Sequence, residues 1–336
     1  MISVIEKKDN GVAILSMKND FLEIVVSNYG CNIMKVFMSS KDGNVSDVVL
    51  GYQDIDDYGP GDDYLGAIVG RVANRIALGK FSINGEDYSV PINNGPNALH
   101  GGILGFSYQV FDYEMKEDTI TFHYLSEDGE EGYPGNLDLY VDYQLLGHTL
   151  YVTYSATTDK DTLINLTNHS YFNLNGNKDS VYGHILQVNA DQFAAVDVNG
   201  CTTGEIIDVT GTPFDFREAK TLGDMIHLEH PQLTLGNGYD HPFIFNTDNN
   251  QVSLFEPKSG RKLTVSTTLP QAQLYTANYL DSREGKNGLG NVARHAICIE
   301  TQNMPDSIHL EVNPTTLLKK GSVYEEATSY TFEVIK

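Results

Sequence analysis

An all-β fold, a large sandwich of antiparallel sheets, is predicted by three features of the 336-residue sequence. Short runs rich in Val, Ile, Thr, Tyr and Phe recur along the chain and are bounded by Gly, Asn and Asp. Helical periodicity is confined to a turn or two within "DFREAKTLGDMI", residues 215–226. A tight-turn signal, Asn84-Gly85, sits between alternating segments in "KFSINGEDYSV" and reads as a two-residue hairpin.

The strand candidates follow in order: "GVAILSM", "FLEIVVSNYG", "DTITFHYL", "LDLYVDYQLL" and "TLYVTYSATT". Alternation of apolar and polar residues, the pattern of a strand with one buried face, is plainest in "LDLYVDYQLL" and "TLYVTYSATT". No Pro- or Ser-rich linker and no fixed-period repeat divides the chain, so residues 1–336 are expected to form a single domain. Two long irregular loops, "GYQDIDDYGPGDDYLG" and "YLDSREGKNGLGNVARHA", are of the length that compact domains usually keep for function.

Composition narrows the classes. The net charge is −23 and the acidic residues are dispersed, so the surface repels phosphate backbones and anionic membranes. Neither a nucleic-acid nor a membrane partner is expected. Three scattered cysteines, Cys31, Cys201 and Cys298, form no disulfide framework, which fits a reducing compartment. With no signal-peptide pattern and no long apolar run, a cytoplasmic protein is expected, as a monomer or homodimer. Dinucleotide and phosphate loops, HExxH and CxxC are missing, so no cofactor and no metal is implied.

One segment breaks the ordinary strand pattern. In "LINLTNHSYFNLNG", residues 163–176, Ile164, Leu166, Phe172 and Leu174 mark an apolar face. The opposite face carries Asn165, Thr167, His169, Tyr171, Asn173 and Asn175, although Asn is depleted in strands. Such a row of donors and acceptors suits a ligand rich in hydroxyls, carbohydrate above all. The plainer alternative is a core histidine held by polar neighbours. In "AICIETQNMPD", Glu300 interrupts an apolar run; it is either paired with a cation or held in a site that raises its pKa. His100 in "PNALHGG", Arg71, Asn74 and Arg75 in "GRVANRIALGK", Asp240 in "GYDHPF" and Gln273 in "LPQAQLYTANY" complete a set that could surround a sugar. Each of these is also compatible with a loop or surface residue of no special role, and "HLEH" at 227–230 reads as surface.

Taken together, "GRVANRI", "NALHGG", "NLTNHSYFNL", "YDHPF", "QLYTANY" and "CIETQNMPD" resemble, in order, the motifs of the aldose 1-epimerase (galactose mutarotase) family. The resemblance spans essentially the whole chain. It implies a β-sandwich of the mutarotase type, a free aldohexose such as galactose or glucose as substrate, and no cofactor. It also implies Glu300 as general base, His169 as general acid, and His100, Arg75, Asn74, Asp240 and Gln273 as substrate-binding residues. The chain departs from the family pattern at Phe111, where a Trp is common, and in "NVARHA" before Glu300. A hexose-phosphate epimerase, a glycosidase with two positioned carboxylates, and a non-catalytic sugar-binding module are the alternatives. Six arginines are few for a phosphate site.

Overall fold

The computed structural model describes residues 1–61, 63–310 and 316–336. Strands dominate, and among the described residues the ladders between named strands are antiparallel. The largest sheet has nine strands, ordered Asp112–Met115, Thr119–Ser126, Leu137–Leu146, Thr149–Thr158, Val323–Val334, Arg261–Thr267, Val252–Glu256, Ile185–Val188 and Lys220–Thr221. Alternation in the sequence becomes alternation in burial. Leu137, Leu139, Val141, Tyr143 and Leu145 point inward from one strand, and Leu150, Val152, Tyr154 and Ala156 from the next.

These side chains meet a six-stranded sheet, ordered Tyr171–Phe172, Ile297–Gln302, Gln271–Tyr275, Asp240–Phe245, Ala190–Val196 and Thr202–Asp208. Its inward residues, among them Ile297, Ile299, Ala272 and Leu274, join the same apolar cluster. Removal of this surface from water supplies the main driving force for folding. A five-stranded meander from Ile2 to Asp47 adds Leu15, Ile24 and Val36 to the cluster. The Asn84-Gly85 turn closes the hairpin between Lys80–Ile83 and Glu86–Ser89, both residues having positive φ as a primed turn requires. Phe111 lies in this core against Phe106 and Tyr124, so the missing tryptophan alters core packing rather than the cavity described below. No helix among the described residues is long and apolar enough to cross a membrane.

Two expectations need correction. Residues 163–176 do not form one strand with a polar face. They are three two-residue strands, Thr162–Leu163, Thr167–Asn168 and Tyr171–Phe172, buried on both sides. The asparagines serve the backbone. Asn165 pairs with the N–H and carbonyl of Asn303, Asn168 donates to Gly66 O, and Asn173 donates to Asp179 O and His295 O. A chain that keeps leaving its ladders inside the core needs such amides to satisfy its neighbours' polar groups. Arg71, grouped in the sequence with Arg75, is also structural. It is 2% exposed and donates to Ser126, Pro134, Glu127 and Thr162.

A buried ion pair ties the second long loop to the meander. Lys286 Nζ lies 2.6 Å from Asp47 Oδ2 and also donates to the carbonyls of Met34 and Val49. Burial pushes the lysine pKa down while Asp47 pushes it up. Asp47→Asn keeps the shape but leaves the ammonium without its counter-charge, and should lower stability by about 3 kcal/mol. Urea denaturation measures this; a loss far below that would mean the pair is hydrated rather than dry.

Candidate functional site

The outer face of the six-stranded sheet carries the polar groups that its inner face excludes. In Ile297–Gln302 the odd positions enter the core, so Cys298, Glu300 and Gln302 point the other way. Glu300 stands directly across from Gln273, and Cys298 across from Tyr275 and Tyr171. Asp240 begins the next strand, opposite Tyr275, and its Oδ1 accepts from Gln273 Nε2 at 2.6 Å. Loops from the first third of the chain roof this face and bring Asn74, Arg75, His100, Asp63 and Tyr64 over it.

The open cleft measures about 470 Å³, within the size range of small-molecule sites. Asn74, Arg75, His100, His169, Asp240 and Glu300 all line it; Gln273 stands behind Asp240 and orients it. Sequence reasoning missed Asp63, Tyr64 and Asn94 as wall residues. The length of the loop at 51–66 was the only hint of the first two.

Each side chain is held by identifiable contacts. His169 is fixed through its backbone, donating to Ala67 O and accepting from Gly66 N. Its ring stacks on Tyr171 at 5.0 Å and meets His100 edge-on at 5.2 Å. Arg75 donates to Asn94 Oδ1 and Gly200 O, and a Cβ on Gly200 would sit 2.7 Å from its guanidinium carbon. Asn74 Oδ1 accepts the backbone N–H of Arg75 at 2.8 Å, so part of its side-chain capacity goes to shaping the turn. At the rim, Arg283 bonds Gly61 O and lies 3.7 Å from Asp63, linking the two long loops.

His169 Nε2 lies 3.5 Å from Glu300 Oε1, and both residues are at most 4% exposed. Proximity favours an imidazolium beside a carboxylate; burial disfavours both charges. Burial prevails, because His169 Nδ1 and Glu300 Oε2 have no hydrogen-bond partners to stabilise separated charge. The imidazole is pushed down to about 4 by burial. The Glu300 carboxyl is pushed well up by burial and then by Asp240, against an opposing pull from Arg75. Both shifts favour the neutral forms, with a proton on the carboxyl rather than on the imidazole. Asp240 is raised by burial, while Arg75 and the Gln273 amide counter part of that shift. His100 is held well below the usual imidazole range by burial and by the neighbouring His169 and Arg75. One ligand atom each from His100, His169 and Glu300 fall within 4.8 Å of one another, a spacing that could hold a metal ion.

A cavity lined by hydrogen-bond donors and acceptors and closing on a buried imidazole–carboxyl pair, set on an antiparallel β-sandwich, defines a class: all-β proteins whose sites handle small polar ligands. The family model described as "Aldose 1-epimerase" matches residues 13–331. The galactose mutarotase of Bos taurus is 41% identical over 323 residues, covering 95% of this chain and 93% of that protein. The aldose 1-epimerase of Escherichia coli (strain K12) is 32% identical over 328 residues, covering 95% and 94%. Among solved structures, an aldose epimerase homologue from C. elegans superposes with a TM-score of 0.91 at 30% identity, covering 97% of this chain and 100% of that one. The chain belongs to the aldose 1-epimerase family.

Proposed function

We propose that the protein interconverts the α and β anomers of free hexoses, galactose and glucose, with Glu300 as general base and His169 as general acid, residues 1–336 acting as one domain. The observation that carries this reading is the buried His169–Glu300 pair, 3.5 Å apart in a cavity also lined by Arg75, His100 and Asp240.

Opening a cyclic hemiacetal requires removal of the proton on the anomeric oxygen and delivery of one to the ring oxygen. The C1–O5 bond then breaks, and the aldehyde turns about C1–C2 before closing on its other face. The pair's single proton is what this exchange needs. With the proton on His169, the carboxylate accepts from the anomeric hydroxyl while the imidazolium donates to the ring oxygen; closure reverses the roles. Each positioned group typically contributes roughly 10²- to 10⁴-fold. Substrate hydroxyls would supply partners for the orphaned Glu300 Oε2 and His169 Nδ1, easing the charge separation that burial opposes.

Arg75 is the only Lys or Arg among the described residues lining the cavity, opposite Asp63, Asp240 and Glu300. That balance favours a neutral sugar over a hexose phosphate, which would need more cations. Polarimetry of freshly dissolved α-D-galactose and α-D-glucose tests the reading. Acceleration of mutarotation by catalytic amounts of protein is expected; tight sugar binding without acceleration would point to a binding module, and a preference for the phosphate ester would overturn the substrate class.

A further inference from the structure

The ring of His100 makes one hydrogen bond among the described residues: Nδ1 accepts the backbone N–H of Asn74 at 3.1 Å. A nitrogen that accepts carries no proton, so a neutral imidazole in this position has its proton on Nε2. Turning the ring over offers no alternative, since it would set a C–H against that amide. The surrounding backbone holds the geometry from both sides. His100 N–H donates back to Asn74 O at 3.0 Å, and both residues take left-handed φ, 63° and 53°. Gly101 follows with φ 89°, and a Cβ there would lie 1.9 Å from Gly70 O, so no other residue lets the loop come this close.

We infer that the Asn74 backbone amide locks His100 as the Nε2–H tautomer, a standing hydrogen-bond donor to the cavity, and thereby bars the His100–His169–Glu300 cluster from holding a metal ion. By spacing and donor type the cluster qualifies as an open site, with two imidazoles and a carboxylate. His169 Nδ1 and Glu300 Oε2 are moreover buried without partners. A metal, however, needs a free lone pair on each ligand. The lone pair of His100 Nδ1 is taken by Asn74, and Nε2 presents its proton. Freeing Nε2 would move the proton to Nδ1, head-on against the Asn74 N–H, and would leave that buried amide without an acceptor. Two ligands remain, too few for a tight zinc site. Asn74 is on this account a positioning residue acting through its main chain, and its side chain is dispensable for the lock. Only the donor's use toward a sugar rests on the proposed epimerase reading; the tautomer and the metal exclusion stand apart from it.

Long-range ¹H–¹⁵N correlation on ¹⁵N-labelled protein at neutral pH reads the tautomer directly. His100 should show a protonated-type Nε2 and an unprotonated Nδ1, and Asn74→Gly, which keeps both the amide and the left-handed backbone, should retain the pattern. An Nδ1–H pattern in the native protein, or its appearance in Asn74→Gly, would overturn the lock. Titration with micromolar Zn²⁺, and with Co²⁺ followed by visible absorption, should give no binding that His100→Ala removes; tight binding lost in that variant would overturn the metal exclusion. If the tautomer is as stated but polarimetry shows no mutarotation, the lock holds and the functional reading fails.

Discussion

Glu300→Gln should lower kcat by roughly 10²-fold or more while making the fold more stable above about pH 5. Gln keeps the shape and the hydrogen-bonding reach of the side chain but accepts no proton. The gain in stability comes from the same burial that prepares the base. Glu300 is 2% exposed, its Oε2 has no partner, and its carboxyl is raised well above the ordinary 4.5. A group raised in the folded state contributes its stability below the unfolded pKa and loses it as pH rises through the folded one. The unfolded carboxyl ionises near 4.5, so from there upward the native protein is weakened and the glutamine variant is not. The difference in Tm should be small near pH 4.5 and should widen toward neutrality and beyond. Polarimetry and calorimetry across pH measure both halves. A near-native kcat would shift the base role to Asp240. A pH-independent Tm difference would mean that Glu300 ionises without strain in the fold.

Much of the fold was open to reading because its strands are amphipathic. Leu137–Leu146 and Thr149–Thr158 coincide with the runs marked by alternation, since a sheet with one face on the core imposes a period of two. The segment 163–176 shows where that logic stops. Its alternation looked like a two-faced strand, yet both faces are buried and the asparagines satisfy backbone groups of other loops. A single sequence cannot separate an amide that binds a ligand from one that binds a carbonyl far along the chain. Arg71 and Arg75 make the same point: four positions apart, one fills the core and the other faces the cavity. Asp63 and Tyr64 gave no residue-level signal, because their place in the wall depends on how the 51–66 loop folds over the sheet. The weak helical signal at 215–226 was legible only in part: Leu222–Ile226 forms one short helix, and a second, Pro231–Leu235, is capped by His230 of the "HLEH" stretch.

His169→Asn should also lower kcat by roughly 10²-fold or more with a smaller change in KM, and the double variant with Glu300→Gln should be little worse than the worse single one. A base without its acid cannot complete ring opening, because the proton taken from the anomeric oxygen must be matched by one given to the ring oxygen. Once either group is lost the other has little left to contribute, so the two losses overlap instead of multiplying. The pH profile should reveal the same unity. The active pair holds one proton; it is lost on the alkaline side through the raised carboxyl, and a second is gained on the acid side, where burial holds the imidazole at about 4. At 3.5 Å, with His100, Asp240 and Arg75 around them, the two groups titrate as one system, and the apparent pKa values belong to the pair. Changing either residue should therefore leave a single limb, displaced from its native position because its coupled partner is gone. Stopped polarimetry across pH on the two single variants and the double decides it: fully multiplicative losses, or a limb that survives unmoved when its supposed partner is removed, would show that Glu300 and His169 act on the sugar independently.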